Sequence, residues 1–141
     1  MPELIIRAYS RVDEDAVVAL WQASGLVVPW NDPHADIARK LAEERSLFLV
    51  GELGGTIAAT CMAGYDGHRG WIYYLCVAEE HRRRGYARAV MNAAEKKLRA
   101  RGCPKIDLMV RNTNLSAIDF YGKLGYTRDE VVVLSKKLEN R

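Results

Sequence analysis

The sequence predicts an α/β (α+β) fold, and three observations carry that prediction. Residues 71–77 are an apolar and aromatic run rich in strand formers and too short for a typical helix, which indicates a strand covered on both faces. From Gly85 onward, apolar residues recur every three or four positions with charged residues opposite, which indicates an amphipathic helix that stops at Gly102. Along the whole chain, strand-like and helix-like runs follow the order β-α-α-β-β-β-α-β-α-β, which is typical of a sheet flanked by helices.

The first half of the chain predicts two helices after an opening strand at residues 4–9. Asp13 is the expected cap of the first helix, and Gly25 is its stop. Asp32 is the expected cap of the second, because the proline after it suits the first helical position, where a missing N–H costs nothing. The predicted buried side chains are Val17, Leu20 and Trp21 in the first helix and Ile37 and Leu41 in the second.

The remaining elements are predicted from strand-like runs and turn residues. Residues 47–53 and 56–65 are two strands around Gly54-Gly55, a pair that tolerates the positive φ values of a tight hairpin. After the long helix, we expect a strand at residues 106–110, a helix at 115–124 and a last strand at 131–134.

Length and composition favour one globular domain, residues 1–141, with 49% hydrophobic and 28% charged residues. No run of 18 apolar residues and no basic-then-apolar leader is present, so we expect a cytoplasmic protein with no membrane partner. A net charge of +3 is too small to argue for nucleic acid as a partner.

Cysteines and histidines do not form a metal or disulfide pattern. Three cysteines are widely spaced without a C-x-x-C pair, and the three histidines do not fall at ligand spacings, so no metal is predicted. Cys76 lies in the central strand, where a covalent acetyl-cysteine route is conceivable. A buried core cysteine is the favoured alternative.

The junction between the central strand and the long helix predicts an anion site. Its residues are Arg82, Arg83, Arg84, Gly85, Tyr86 and Ala87. A helix leaves its first N–H groups without internal partners and carries a partial positive charge at that end. Glycine and a small residue let an anion approach the backbone, and arginine adds forked donors. The alternative is a solvated basic turn.

Two motifs in this order resemble the hallmarks of the GCN5-related N-acetyltransferases (GNAT family). The pattern Arg82-x-x-Gly85-x-Ala87 after a strand is similar to the family's acetyl-CoA loop, Gln/Arg-x-x-Gly-x-Gly/Ala. Asn114 lies seven residues before Tyr121, and Leu124-Gly125-Tyr126 follows, as in the family's second hallmark. The resemblance extends over essentially the whole chain.

The resemblance implies a mixed central sheet flanked by helices in a single GNAT domain, with acetyl-CoA as co-substrate. Its pyrophosphate would lie on the N–H groups of residues 83–87 with Arg82 and Arg84 as charge partners, and its pantetheine arm would pair with the backbone of Leu75, Cys76 and Val77. Asn114 would also contact that arm, with a helix N-cap as its alternative role. Tyr121 would be the general acid for the departing thiolate, with a core aromatic as its alternative role.

The acceptor and the base are less defined. Many family members carry a glutamate near the start of the fourth strand, but residues 71–77 hold no carboxylate. Asp66 and His68 in the preceding turn are candidate bases, as is a water ordered by Tyr73 or Tyr74, although turn chemistry is the alternative for the turn residues. We expect the side of the site that holds the acceptor to be lined by Trp30, Asn31 and Asp32. Helix capping is the alternative role for Asp32.

Three functions from different classes follow. The first is an acetyl-CoA-dependent N-acetyltransferase that acts on a small-molecule or peptide amine by direct attack in a ternary complex. The second is an acyl-CoA-binding regulatory module without catalysis, motivated by the missing strand carboxylate. The third, binding of nucleic acid through residues 82–84, requires steeply salt-dependent affinity. The resemblance also allows a homodimer through the last strands.

Overall fold

Five strands form one mixed sheet in a computed structural model that describes residues 3–139. The strands are β1 (Ile5–Ala8), β2 (Phe48–Leu53), β3 (Thr56–Tyr65), β4 (Gly70–Val77) and β5 (Ile106–Leu108). They lie side by side in chain order, antiparallel from β1 to β4, and β4 pairs with β5 in parallel. The helices are α1 (Glu14–Ala23), α2 (Pro33–Glu44), α3 (Tyr86–Ala100) and α4 (Leu115–Lys123). The predicted mixed sheet with flanking helices is confirmed.

The chain divides into two compact units, residues 1–108 and residues 109–141. The sheet and α1 to α3 belong to the first unit, and α4 belongs to the second. The expected single domain over residues 1–141 stays a prediction. Among residues 3–139, no helix is both long enough and apolar enough to cross a membrane.

Local signals in the sequence positioned the element ends well. Asp13 occupies the N-cap position of α1 as predicted, but its side chain makes no capping hydrogen bond to that helix. The Asp32 carboxylate accepts hydrogen bonds from the first turn of α2, with proline at the first helical position. Gly54 and Gly55 both have positive φ values, +56° and +82°, as the hairpin between β2 and β3 requires. The first strand, the hairpin strands and both early helices are therefore confirmed to within about two residues of their predicted ends.

The main core lies between the sheet and the first two helices. The indole of Trp21 in α1 is fully buried, and Ile37 of α2 joins the same cluster with Phe48 of β2. On the other face of the sheet, α3 buries Val90, Met91, Ala94 and Leu98, which is the apolar stripe that its spacing predicts.

The predicted last strand is wrong. Residues 131–134 form no strand within the described chain, and their side chains are exposed, at 83% for Val132 and 89% for Leu134. A strand is stable only when its backbone groups pair with a neighbour. The described part of residues 109–141 holds no other strand to supply that neighbour, so β-branched propensity alone did not decide the conformation.

Gly70 at the start of β4 is required because no side chain fits there. A Cβ at this position would lie 2.8 Å from Cys103 Sγ and 3.2 Å from both Leu98 Cδ1 and Ile106 Cγ1. We therefore expect Gly70→Ala to lower the free energy of unfolding by about 2 kcal/mol through overpacking, measured by urea denaturation. Gly70→Ala combined with Cys103→Ala should recover part of the loss, and a single variant as stable as the wild type would contradict this account.

Asp13 links the end of β1 to the start of α1 through a partly buried ion pair. Its carboxylate accepts two hydrogen bonds from Arg7, at 2.8 and 2.9 Å, and one from Ser10 N at 2.8 Å. The Arg7 hydrogen bonds, followed by the Ser10 N–H, hold the pKa of Asp13 below its ordinary 3.8, against the opposing effect of burial.

Asp13→Asn should therefore cost about 2 kcal/mol of unfolding free energy at pH 7. The folded pKa is lowered, so the contribution is complete above the unfolded pKa of 3.8 and is lost as pH falls through the lower folded value. Urea denaturation at pH 7 and near pH 3 should show that the difference in unfolding free energy between variant and wild type is smaller in acid. If that difference is the same at both pH values, the charge of the Asp13 carboxylate is not its cause.

Candidate functional site

The turn between β4 and α3 ends in a helix start with no side-chain cap from residues 3–139. Gly85 is the N-cap residue and is left-handed, with φ of +85°. The helical ladder starts with Ala89 N donating to Gly85 O at 3.0 Å, so the N–H groups of residues 86–88 precede it. With the positive end of the helix dipole behind them, these groups form an anion-binding geometry.

The three arginines before Gly85 have different surroundings. Arg82 Nε donates to Val77 O at 2.9 Å, and its Nη2 lies 3.5 Å from Ser24 Oγ, so this side chain closes the turn onto β4. Arg83 and Arg84 are exposed beside the helix start. Arg83 is also left-handed, with φ of +67°, a conformation that is costly for a residue with a side chain and recurs at ligand sites.

β4 separates from β5 before it reaches this turn. The parallel ladder has three pairs and ends with Ile72 opposite Leu108, so β5 pairs with no later residue of β4 in the described chain. Ala78 N donates to Ala58 O at 2.8 Å, and the alternation of an antiparallel ladder then directs the backbone groups of Val77 away from β3. The end of β4 therefore offers an edge to which an extended, amide-rich ligand could add like a strand.

A bulge interrupts β4 at its centre. One residue of β3 lies opposite residues 74–75 of β4. The flanking register pairs are Thr60 with Cys76 and Met62 with Tyr73. Tyr74 is left-handed, with φ of +52°. Full coverage of both faces, as predicted for residues 71–77, is wrong at Tyr73, which is 46% exposed.

A polar network surrounds the bulge, and sequence reasoning missed it. The Thr60 hydroxyl donates to Tyr74 O at 2.8 Å and accepts from Trp21 Nε1 at 2.9 Å. The Tyr74 hydroxyl donates to Asp36 Oδ2 at 2.6 Å, and burial together with this carboxylate raises the pKa of the phenol. One hydroxyl inside the apolar run of residues 57–63 was the available signal, since a buried polar group needs partners.

Cys76 is a core cysteine. It is buried, its Sγ lies 3.1 Å from Ser24 Oγ, and burial raises the pKa of the thiol. A high pKa keeps the sulfur protonated and weakens it as a nucleophile. The structure therefore favours the core alternative over an acetyl-cysteine route.

Asp66 and His68 lie in the turn that leads into β4, at the opposite end of the strand from Gly85. Asp66 Oδ1 accepts from His68 N at 2.8 Å and Arg69 N at 2.7 Å, and Oδ2 accepts from Trp71 Nε1 at 3.2 Å. The N–H of Arg69, then that of His68, lowers the pKa of this carboxyl. The contacts of Asp66 are those of a turn-forming side chain, which favours turn chemistry over a base.

Trp30, Asn31 and Asp32 lie in the connection between α1 and α2, and all three are exposed. Asp32 Oδ1 accepts from His34 N at 3.0 Å and Ala35 N at 3.3 Å, so it caps α2. The indole of Trp30 is 58% exposed, which makes it the large apolar surface of this connection. A role for the three in acceptor binding stays a prediction.

The second unit contains the other two predicted site residues. Asn114 caps α4, with its Oδ1 accepting from Ala117 N at 3.2 Å, so the N-cap alternative is confirmed. Tyr121 lies in the last turns of α4, where its ring makes edge contacts with Phe120 and Tyr126 at centroid distances of 5.1 and 5.8 Å.

A strand with an open edge, a left-handed glycine and a helix start with anion-binding geometry are together typical of α/β proteins that bind a phosphate-bearing ligand. Comparison with known proteins narrows the class. The model of the Acetyltransferase (GNAT) family matches residues 14–126. The chain belongs to the GNAT acetyltransferase family, and it is an acyltransferase.

Individual relatives agree with this assignment. An acetyltransferase of Yersinia pestis (strain Pestoides F) is 48% identical over 133 residues, which cover 94% of each chain. The crystal structure of Ard1 from Thermoplasma volcanium superposes with a TM-score of 0.79 at 27% identity, covering 88% of this chain and 82% of that one. AAC(6')-Iy, solved with the bisubstrate analogue CoA-S-monomethyl-acetylneamine, shares the fold with a TM-score of 0.77 at 16% identity, covering 96% and 98%.

Proposed function

We propose that this chain transfers the acetyl group of acetyl-CoA to a primary amine by direct attack within a ternary complex. The observation that carries the proposal is the helix start at Gly85, without a side-chain cap from residues 3–139, beside a β4 edge that β5 leaves after Ile72. The first feature suits a diphosphate and the second suits a peptide-like arm.

The residues present fit coenzyme A on chemical grounds. The N–H groups of residues 86–88 would hold its diphosphate, with the exposed guanidinium groups of Arg83 and Arg84 beside them. Arg82 would act through the turn that it closes on Val77, and it could add charge at longer range. The backbone of residues 75–77 would pair with the pantetheine arm, and the amide of Asn114, whose oxygen caps α4, would supply a further donor.

Tyr121 is the proposed general acid. When bound, acetyl-CoA supplies an activated acyl group on a thiol leaving group. The Tyr121 phenol would donate its proton as the C–S bond breaks and the N–C bond forms, so that a neutral thiol leaves. The proton released by the attacking nitrogen would return to the phenolate or pass to water. Direct attack by the amine requires no acyl-cysteine, which agrees with the raised pKa of the buried Cys76 thiol.

The acceptor must reach the site as a neutral amine. A lysine-like amine of pKa about 10.4 must give up about 3.4 pKa units at pH 7, or about 4.6 kcal/mol. A desolvated site or an ordered water near Tyr73 could meet part of that requirement, since the Tyr73 side chain is partly exposed at the bulge. The exposed Trp30 and the neighbouring Asn31 and Asp32 are the proposed acceptor-side residues, and Asp32 adds a carboxylate that favours a cation.

The proposed acceptor class is a small-molecule or peptide primary amine, and the proposed location is the cytoplasm. AAC(6')-Iy, whose bisubstrate analogue carries acetylneamine, supports a small amine by its shared fold alone. The homodimer stays a prediction.

Titration with CoA and a thiol-release assay test the proposal together. We expect calorimetry to show CoA binding, and thiol release from acetyl-CoA to depend on one or more members of a panel of amines, amino acids, polyamines and N-terminal peptides. Absence of heat with CoA would overturn the proposal.

The alternative of a regulatory acyl-CoA-binding module, which the absence of a carboxylate from residues 70–77 suggests, disagrees with the assignment of the chain as an acyltransferase. It predicts CoA binding with no thiol release for any amine. The same two measurements therefore separate the candidates.

A further inference from the structure

We propose that Thr60 is a positioning residue for acetyl transfer, because its hydroxyl holds the β4 bulge in one conformation. The inference rests on the proposed function, in which the bulged strand is the edge beside the acetyl donor. Thr60 itself is fully buried in β3 and is not in line to touch a ligand at that edge.

The bulge contains a conformation that needs external support. Tyr74 has φ of +52°, a region that favours glycine, and a bulky side chain there is strained. Such strain persists only where the surrounding structure determines the conformation, and it gathers at functional sites. The contacts of Tyr74 therefore show what keeps the bulge in place.

The side chain of Tyr74 is held from one face of the sheet. Its ring stacks on Trp21 at a centroid distance of 3.8 Å, and its hydroxyl donates to Asp36 Oδ2 at 2.6 Å. These contacts fix the phenol against α1 and α2. They leave the rotation of the peptide between Tyr74 and Leu75 to be fixed separately.

Thr60 fixes that peptide. Its hydroxyl donates to Tyr74 O at 2.8 Å, and the hydroxyl oxygen accepts from Trp21 Nε1 at 2.9 Å, so the hydroxyl is used both as a donor and as an acceptor. The bulge places two residues of β4 opposite one of β3. The Tyr74 carbonyl therefore accepts its hydrogen bond from the Thr60 hydroxyl, inside an otherwise apolar strand pair.

The direction of Tyr74 O determines the direction of the next N–H. A trans peptide is planar, with its C=O and N–H pointing in opposite directions. Because Thr60 draws Tyr74 O toward itself, the Leu75 N–H points away from Thr60. Leu75 begins the segment proposed to pair with the pantetheine arm, so the Thr60 hydroxyl sets the orientation of the first donor on that edge.

Thr60→Val keeps the shape of the side chain and removes the hydroxyl. We expect kcat for thiol release to fall about tenfold or more, while the dissociation constant of CoA, set mainly at the helix start, changes less than about threefold. Thr60→Ser restores the hydroxyl and should keep kcat within about threefold of the wild type. If Thr60→Val does not fold, Thr60→Cys replaces it with the same expected fall in kcat, since a thiol has a similar size but is only a weak donor.

Val17→Ala is the control for a loss of stability alone. Val17 is buried in the same core, and its apolar side chain takes no part in the hydrogen bonds of this network. At a comparable drop in melting temperature, Val17→Ala should keep the wild-type kcat. An equal fall of kcat in Val17→Ala, or a Thr60→Ser variant as slow as Thr60→Val, would overturn the proposal.

Amide hydrogen exchange supplies a readout that does not need activity. In Thr60→Val, the amide of Cys76, which pairs with Thr60 in the ladder beside the bulge, should exchange at least about tenfold faster relative to amides in β2. Unchanged exchange at Cys76 would overturn the role of Thr60 whatever the assay shows. A wild-type chain without thiol release would instead overturn the proposed function, and the exchange result would still decide whether Thr60 holds the bulge.

Discussion

Tyr121→Phe should lower kcat about a hundredfold or more and leave the dissociation constant of CoA nearly unchanged, as expected for the loss of a general acid. The change removes one oxygen and keeps the ring, so the edge contacts with Phe120 and Tyr126 can persist. CoA binding by calorimetry and steady-state thiol release measure the two quantities. The loss of kcat in Tyr121→Phe should be smaller with acetyl thioesters of more acidic thiols, because a better leaving group needs less protonation.

Tyr126→Phe is the matched control for this prediction. It makes the same chemical change on a ring 5.8 Å from Tyr121 in the same unit. We expect its kcat to stay close to that of the wild type. Equal losses in the two variants would assign the effect to packing of the aromatic cluster, and unchanged turnover in Tyr121→Phe would remove this residue from the mechanism.

The fold was predictable where local chemistry determines an element. A cap before proline sets the start of α2, paired glycines set the hairpin, and spacing at three and four residues sets the buried side of α3. The last strand was not predictable on the same basis, because residues 131–134 have strand propensity but strand formation depends on a partner.

The candidate site was predictable in part. The anion-binding turn follows from short-range features, namely a glycine before an amphipathic helix and the arginines beside it, and its left-handed Gly85 agrees with that expectation. The bulge does not follow from local sequence, because Tyr74 is a poor choice for positive φ. Its conformation depends on Trp21, Asp36 and Thr60, which are distant in the sequence, and only the folded chain brings them together.

Gly85→Val should weaken CoA binding about thirtyfold, which corresponds to about 2 kcal/mol. A β-branched residue is strongly disfavoured at φ of +85°, so the turn must adopt another conformation, and the N–H groups of residues 86–88 then lose their common direction. The space around the glycine is open, with no heavy atom beyond its chain neighbours within 4 Å of the position that a Cβ would take, so backbone conformation and not a clash is the cause. Calorimetric titration with CoA measures the effect.

Gly102→Val separates this effect from a general loss of stability. Gly102 follows the opposite end of α3, has φ of +81°, and likewise has nothing within 4 Å of an added Cβ. The same substitution therefore imposes similar strain on the same helix at its negative end, away from the proposed diphosphate. We expect similar melting temperatures for the two variants and a CoA affinity close to that of the wild type for Gly102→Val alone. An anion bound at the start of α3 should be weakened by the substitution at Gly85 and not by the substitution at Gly102. Equal CoA affinity in both variants would therefore mean that the diphosphate does not lie at the start of α3.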